Sequence, residues 1–428
     1  SKQDASFSKV SPNKGETGAS QEVAPSPASS PAEAEANAEP TARKTSFMAL
    51  ETGSAGEDYP IPTSHLGFHS NSGIKSGLKI NQDRGMITYP YAGDSDRLLL
   101  GVYDGHGKAG HRISEKVAFR FVELMEEEAP REVMLTEEMD VKDAAFKQKI
   151  EKCLVATDDW LGETEKDFVR SSGTTAIIAM LGAPNSLLIG NVGDSRAVLG
   201  RADQHGVWRA MDLSNDHKVD EPIERARLEA AGGVIEEASE GCSAAVWSKQ
   251  IGVGGGLSMS RSIGDHGMGR ELVISTPVVT SRELTESDMC IILASDGVWE
   301  FISSQRAVDI VQAASKDGAT QACKALIAAA TEEWSKNEPG YRDDITAIVA
   351  FLPVFEAIRM WKTTKSKSKA ADGSFKQERR RNSVVMKAET EHQLEEAIAT
   401  AQEPTKRKKD RLSFTYGLPE LPGLSSSR

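Results

Sequence analysis

Long apolar runs are missing from this 428-residue chain. No stretch approaches the roughly 18 to 20 residues that span a bilayer, and the first residues carry no apolar core of a signal peptide. The chain therefore reads as soluble. Cysteine is scarce: Cys153, Cys242, Cys290 and Cys323 lie far apart without paired spacing, which argues against a disulfide framework and fits reduced thiols in an intracellular, cytoplasmic setting. Net positive charge is absent too. A formal charge of -13 disfavours general nucleic-acid binding, because phosphate neutralisation needs a basic surface. The glycine-rich run Gly252-Val253-Gly254-Gly255-Gly256 lacks the Gly-Lys-Ser/Thr that would make it a nucleotide loop, and reads as a flexible turn.

What is present divides into three parts. Residues 1–64 are rich in Ser, Ala, Pro, Glu and Gly with few aromatics, a mixture that cannot bury enough surface to offset ordering entropy, so this is a disordered tail. Residues 65–355 form one globular region of short apolar runs separated by Gly/Asp turns. Residues 356–428 are polar and locally basic, with Arg379-Arg380-Arg381 and Lys406-Arg407-Lys408-Lys409; only 386–402 has the pattern of a weak helix. Within the globular region, Ile113, Val117, Phe121, Leu124 and Met125 recur at helical spacing. So do Phe146, Ile150 and Leu154, then Val308 and Val311, then Cys323, Leu326, Ile327, Ala330 and Trp334. These stripes predict core-facing helices. Helices, then strands, then helices do not alternate as regular βαβ units, so an α+β packing is expected.

Four aspartates stand at the ends of strand-like apolar runs. Asp104 follows Leu98 to Tyr103, Asp194 closes Leu187 to Gly193, Asp296 ends Cys290 to Ser295, and Asp343 precedes Ile345 to Phe351. An ionised carboxylate set against a buried apolar layer is costly unless a cation or hydrogen bonds offset it. Four such placements in one region predict a positive charge between them. In Asp104-Gly105-His106-Gly107 a carboxylate, a carbonyl beside a glycine and an imidazole share one strand end. Hard divalent cations such as Mg²⁺ or Mn²⁺ prefer those oxygen ligands. Alone, Asp104 reads equally well as a turn aspartate and His106 as a hydrogen-bonded loop histidine.

The ordered set of motifs resembles the metal-dependent serine/threonine protein phosphatases of type 2C. The motifs are Asn81-Gln82-Asp83-Arg84, the Asp104–Gly107 segment, Ser172-Gly173-Thr174-Thr175-Ala176, and Asn191-Val192-Gly193-Asp194-Ser195-Arg196. Asp216-His217-Lys218 follows, then Leu257 to Asp265, Ser295-Asp296-Gly297-Val298-Trp299-Glu300, and Arg342-Asp343-Asp344-Ile345-Thr346. The resemblance implies a central β-sandwich of two antiparallel sheets flanked by helices, in four αββα layers. It also implies hydrolysis of phosphoserine and phosphothreonine esters by water activated between two Mg²⁺ or Mn²⁺ ions, with a weaker third ion.

By the same resemblance, Asp104 bridges the ions, the Gly105 carbonyl joins one, and Asp296 with Asp343 hold the other. Asp83 orients water or ligates directly, Asp194 and Glu300 match the third-ion positions, and His106 protonates the departing Ser or Thr oxygen. The chain departs from the pattern at three places. Gln82 stands where many members have Glu. Leu78 replaces the phosphate-binding arginine of animal members, leaving Lys79 either as a substitute or as a solvated lysine. Glu300 lengthens the usual aspartate arm.

Trp247 is expected as a core anchor of the segment beside the cleft, with substrate contact as the alternative. Arg380-Arg381-Asn382-Ser383 fits a basophilic-kinase target, and Arg411-Leu412-Ser413 is a weaker version. Expected partners are phosphoprotein substrates and an assembly partner held by the tails. Lys406–Lys409 reads as a nuclear address, a contact for an acidic cytoskeletal partner or a solubilising run. The competing reading is a phosphatase-like scaffold or cytoskeletal-assembly component with weak or no activity, which metal content and turnover would distinguish.

Overall fold

Strands that are apolar at every position need cover on both faces, and the architecture supplies it. The computed structural model describes residues 48–51, 62–75, 79–127, 139–239, 243–249, 256–360 and 383–387, all within a unit running from Ser46 to Arg428. In chain order the strands begin with β1 (Met48–Glu51), β2 (Leu66–Asn71), β3 (Arg84–Thr88), β4 (Arg97–Tyr103), β5 (Gly105–Gly107) and β6 (Ser172–Thr174). Next come β7 (Ala176–Gly182), β8 (Ser186–Val192), β9 (Arg196–Ala202), β10 (Trp208–Asp212), β11 (Val234–Glu236) and β12 (Ala245–Trp247). The last are β13 (Ile263–Gly264), β14 (Val278–Glu283), β15 (Asp288–Ala294), β16 (Ile345–Phe351) and β17 (Ser383–Lys387). The helices are α1 (Gly110–Glu127), α2 (Met139–Thr164), α3 (Pro222–Ala230), α4 (Asp296–Trp299), α5 (Ser304–Ala314) and α6 (Ala319–Asn337).

One sheet has the order β1-β17-β3-β4-β7-β8-β14 and the other β10-β9-β15-β16-β2. Every pairing in both is antiparallel except β1 with β17. Alternation along each strand assigns the layers. Leu98, Leu100 and Val102 of β4 meet Ile291 and Leu293 of β15 and Ile348 of β16 between the sheets. From the other face of the first sheet, Leu99, Tyr103, Ile178 and Leu188 pack on Ile113, Val117 and Phe121 of α1 and on Phe146, Ile150 and Leu154 of α2. Ile292 and Val349 of the second sheet pack on Val308 and Val311 of α5 and on Cys323, Leu326 and Trp334 of α6. The expected αββα sandwich is therefore the observed fold, and the helical stripes face its core.

Two details differ from expectation. Trp247 is not a core anchor: it is 38% exposed on the β11–β12 pair. Its indole N–H donates to Glu236 Oε2 at 2.8 Å. In addition, two segments read as tail form strands at the β3 edge, Met48–Glu51 and Ser383–Lys387. A free sheet edge offers unpaired backbone groups to any nearby extended segment. Of the remaining tail residues, 62–64 and the helical 356–360 are described; the helix expected over 386–402 has its first two residues in β17 instead, and the rest of it, with Lys406–Lys409, lies outside the described residues.

Candidate metal and catalytic centre

Antiparallel pairing sends the carboxylate-bearing strand ends to one rim. Arg84 pairs with Tyr103, so Asp83 and Asp104 emerge together where β3 begins and β4 ends. Ala294 pairs with Ala347 and with Arg196, so Asp296, Asp343 and Asp194 leave the ends of β15, β16 and the β8–β9 turn on the corresponding rim. Two contacts join the rims of the two sheets. Ser295 Oγ donates to Asp83 Oδ2 at 2.8 Å, and the Asp104 and Asp296 carboxyl groups lie within hydrogen-bond reach of each other.

The electrostatics are those of crowded, poorly compensated acids. Burial, then the neighbouring charges of Asp83, Asp296 and Asp343, raises Asp104 well above the ordinary carboxylate range. Burial, then Asp194 and Asp343, does the same to Asp296. Asp83 is pushed up to about 7, first by burial and then by Asp344. Burial also raises Asp194, although Lys218 opposes it. Asp83 Oδ1, Asp194 Oδ1 and Asp296 Oδ1 are buried without a hydrogen-bond partner among the described residues. Facing carboxyl groups with orphaned oxygens require a shared proton or a cation, and hard divalent ions take this all-oxygen donor set. No three His, Cys, Asp or Glu side chains among the described residues are already closed around one point. The donors fit divalent ions in chemistry and neighbourhood; they are not drawn into a finished cage.

The Asp104–Gly107 turn is held from three sides. Asp104 N–H donates to Thr175 Oγ1 at 3.0 Å, and β5 pairs with β6 so that His106 faces Gly173. A side chain at Gly105 would meet Gln82 O at 2.5 Å, so only glycine fits this approach. Gln82 braces the same turn, donating from Nε2 to Gly107 O at 2.9 Å. Its neutral amide, unlike the family's usual carboxylate, is therefore spent on the backbone.

His106 Nε2 is 2.6 Å from Asp265 Oδ2, and its Nδ1 is buried without a partner among the described residues. Burial would lower the imidazole, but Asp265 more than offsets it and holds the pKa above the ordinary value. Asp265 has φ 49, a left-handed conformation uncommon outside glycine, and also accepts from Ser262 Oγ at 2.8 Å. Its carboxylate occupies the space over Gly173: a Cβ there would lie 2.2 Å from Asp265 Oδ2. The glycine of the Ser172–Ala176 motif thus admits the histidine's partner. Asp265 carried no assigned role in the sequence, although it closes a recognised motif.

Lys79 is not a solvated lysine. Its Nζ donates to Asp343 Oδ1 at 2.7 Å and lies 3.3 Å from Asp344 Oδ2. Burial would lower its pKa, but those two carboxylates reverse the direction and raise it. Asp344, overlooked in the sequence, is 2% exposed and accepts from the backbone N–H groups of Gly73 at 2.6 Å and Gln82 at 2.9 Å. Glu300 is exposed and stands 3.7 Å from Lys218 Nζ. Lys218, also unassigned from sequence, is raised because Asp194 and Glu300 outweigh its burial. The Lys218 ammonium thus already interacts electrostatically with both expected third-ion ligands.

The family model for protein phosphatase 2C matches residues 66–338. "Probable protein phosphatase 2C 72" of Arabidopsis thaliana is 31% identical over 305 residues, covering 69% of this chain and 88% of that protein. "Probable protein phosphatase 2C 64" of Oryza sativa subsp. japonica is 35% identical over 63% of this chain and 62% of that protein. The crystal structure of serine-threonine phosphatase 2C from Toxoplasma gondii superposes with a TM-score of 0.58 at 23% identity, covering 68% of this chain and 96% of that one; this likeness bears on the fold alone. Sandwich, rim carboxylates and matched sequence agree on one class, the metal-dependent phosphoester hydrolases. The chain belongs to the protein phosphatase 2C family, with that family's serine/threonine protein phosphatase activity.

Proposed function

We propose that Asp104, the Gly105 carbonyl, Asp296 and Asp343 hold two Mg²⁺ or Mn²⁺ ions, with Asp83 beside them, and that water attacks the phosphoryl group directly. The observation that carries this reading is the set of buried, unpartnered oxygens on Asp83, Asp194 and Asp296 around the Asp104–Asp296 contact. Bound there, the ions supply the positive charge that makes water nucleophilic near neutral pH and screens the phosphoryl oxygens. Asp83 Oδ1 orients the attacking water while Oδ2 stays held by Ser295.

His106 donates its Nδ1 proton to the departing Ser or Thr oxygen, since an alkoxide is a poor leaving group, and Nε2 stays on Asp265. Lys79, anchored at Asp343 and Asp344, takes a phosphoryl oxygen as a point charge. Asp194 and Glu300 would hold a third, weaker ion, in competition with Lys218, which already lies 3.7 Å from Glu300.

The substrates are phosphoserine and phosphothreonine proteins; a tail-bound assembly partner rests on composition alone. Among the described residues no helix is long and apolar enough to cross a membrane. Cys290 and Cys323 are buried and form no disulfide, which supports an intracellular, cytoplasmic setting.

The test is phosphate release from a phosphothreonine peptide by the full chain, with Mn²⁺ and with chelator. Asp104→Asn and Asp296→Asn should each lose roughly 10³-fold in kcat with unchanged circular dichroism. Full turnover in either variant, or in chelator, overturns the assignment.

A further inference from the structure

β17 closes an edge that would otherwise lie open. Its register on β3 is Ser383 to Thr88, Val384 to Ile87, Val385 to Met86 and Met386 to Gly85. β3 is also the strand that carries Asp83 at its start. The sequence Ser383-Val384-Val385-Met386-Lys387 is an apolar island in a polar, basic segment, and immediately before it stand Arg379-Arg380-Arg381-Asn382. The first residue of the docked strand is therefore the serine that arginine-directed kinases select, with arginines two and three positions upstream. β1, which pairs with β17 in the register Met48 to Val384, is preceded by the comparable Arg43-Lys44-Thr45-Ser46.

We propose that Ser383 is a phosphorylation site for an arginine-directed serine kinase, and that its phosphorylation releases β17 from the edge of β3. The kinase transfers the γ-phosphoryl group of ATP to the Ser383 hydroxyl oxygen, displacing ADP, and the hydroxyl proton is lost to solvent. Two physical facts drive the release. A kinase reads its target as a free extended segment, so only the undocked strand is a substrate, and mass action links modification to undocking. In the docked register, moreover, residue 383 pairs with Thr88, so modification would bring a charge of about -1.5 to -2 to that pairing position. Thr88 is fully buried, and its hydroxyl has no hydrogen-bond partner among the described residues. Thr88 is followed by buried Tyr89, and an anion against such a layer is strongly disfavoured without a cation. β17 is held between the short outer strand β1 and β3, and such short outermost strands are among the cheapest parts of a fold to release.

The test uses the full chain in the Asp104→Asn background, so that it cannot remove its own phosphate, treated with the catalytic subunit of cAMP-dependent protein kinase and ATP. Mass spectrometry of fragments locates the phosphate, and hydrogen exchange reads the 84–88 segment. Phosphate at Ser383 together with at least about tenfold faster exchange in 84–88 is expected, and Ser383→Ala should show neither. Val385→Pro removes a backbone donor from the β17 ladder. It should open the same amides without kinase and speed phosphorylation of Ser383. No phosphate at Ser383 in either protein, or phosphate there with 84–88 still protected, overturns the proposal. Residual hydrolysis of a phosphothreonine peptide by the same preparation is measured alongside, so failure here is distinguished from failure of the catalytic assignment.

Discussion

Asp265→Asn is the most discriminating change, because it alters the partner of the proposed acid without touching a proposed metal ligand. The side chain keeps its shape and its capacity to accept from Ser262 and His106, but loses the charge that favours imidazolium. A hydrogen bond to a charged group contributes about 1.5–3 kcal/mol, and the 2.6 Å contact of His106 Nε2 with Asp265 Oδ2 is of the short, charge-assisted kind. Losing that stabilisation in the transition state corresponds to roughly 10- to 100-fold in rate, at about 1.4 kcal/mol per tenfold. The loss should depend on the leaving group. Phosphothreonine peptide departs as an alkoxide and needs the proton; p-nitrophenyl phosphate departs as a stable phenolate and does not. The expected result is a loss of roughly 10- to 100-fold in kcat for the peptide and under about threefold for the aryl ester. Because Asp265 raises the His106 pKa, the alkaline fall in peptide hydrolysis should also move to lower pH in the variant. Equal losses on both esters would refute the reasoning and leave Asp265 a structural residue.

Three further outcomes follow from the geometry. Gly173→Ala sets a Cβ 2.2 Å from Asp265 Oδ2; it should cost roughly 1–3 kcal/mol in thermal unfolding and reproduce the alkyl-over-aryl loss, whereas an unchanged ester ratio would contradict the role given to that space. Lys79→Met should raise KM for the phosphopeptide roughly tenfold through loss of one charge-assisted contact, with kcat less affected; an unchanged KM would confine Lys79 to holding Asp343 and Asp344. Glu224, in α3, is held down at about 2: burial would raise it, but Arg261, Ser260 and Arg227 outweigh burial. A folded-state pKa below the ordinary 4.5 means this stabilisation is complete above 4.5 and is lost as pH falls toward 2. Glu224→Gln should therefore be less stable by roughly 2–3 kcal/mol near neutral pH and equal to the parent near pH 2 in denaturant titrations. A difference that persists at low pH would show that the charge is not its source.

The sequence by itself determined the apolar core strands, the helical stripes and the placement of Asp83, Asp104, Asp194, Asp296 and Asp343 at or beside strand ends. Those signals are local: a run apolar at every position has to be covered on both faces, and a carboxylate at its end has to find compensation nearby. Tertiary structure alone decided the partners. His106 meets Asp265 across 159 positions of chain because β6 aligns Gly173 with both His106 and Gly264, and no local pattern encodes that register. Lys79 reaches Asp343 and Asp344 only because β2 pairs with β16. Trp247 lies on the surface because its short hairpin packs outside both sheets, a fact that its apolar character concealed. The strand at Ser383–Lys387 was the least legible element: five residues in a polar tail have no core of their own, and they become a strand only where β3 offers unpaired backbone groups.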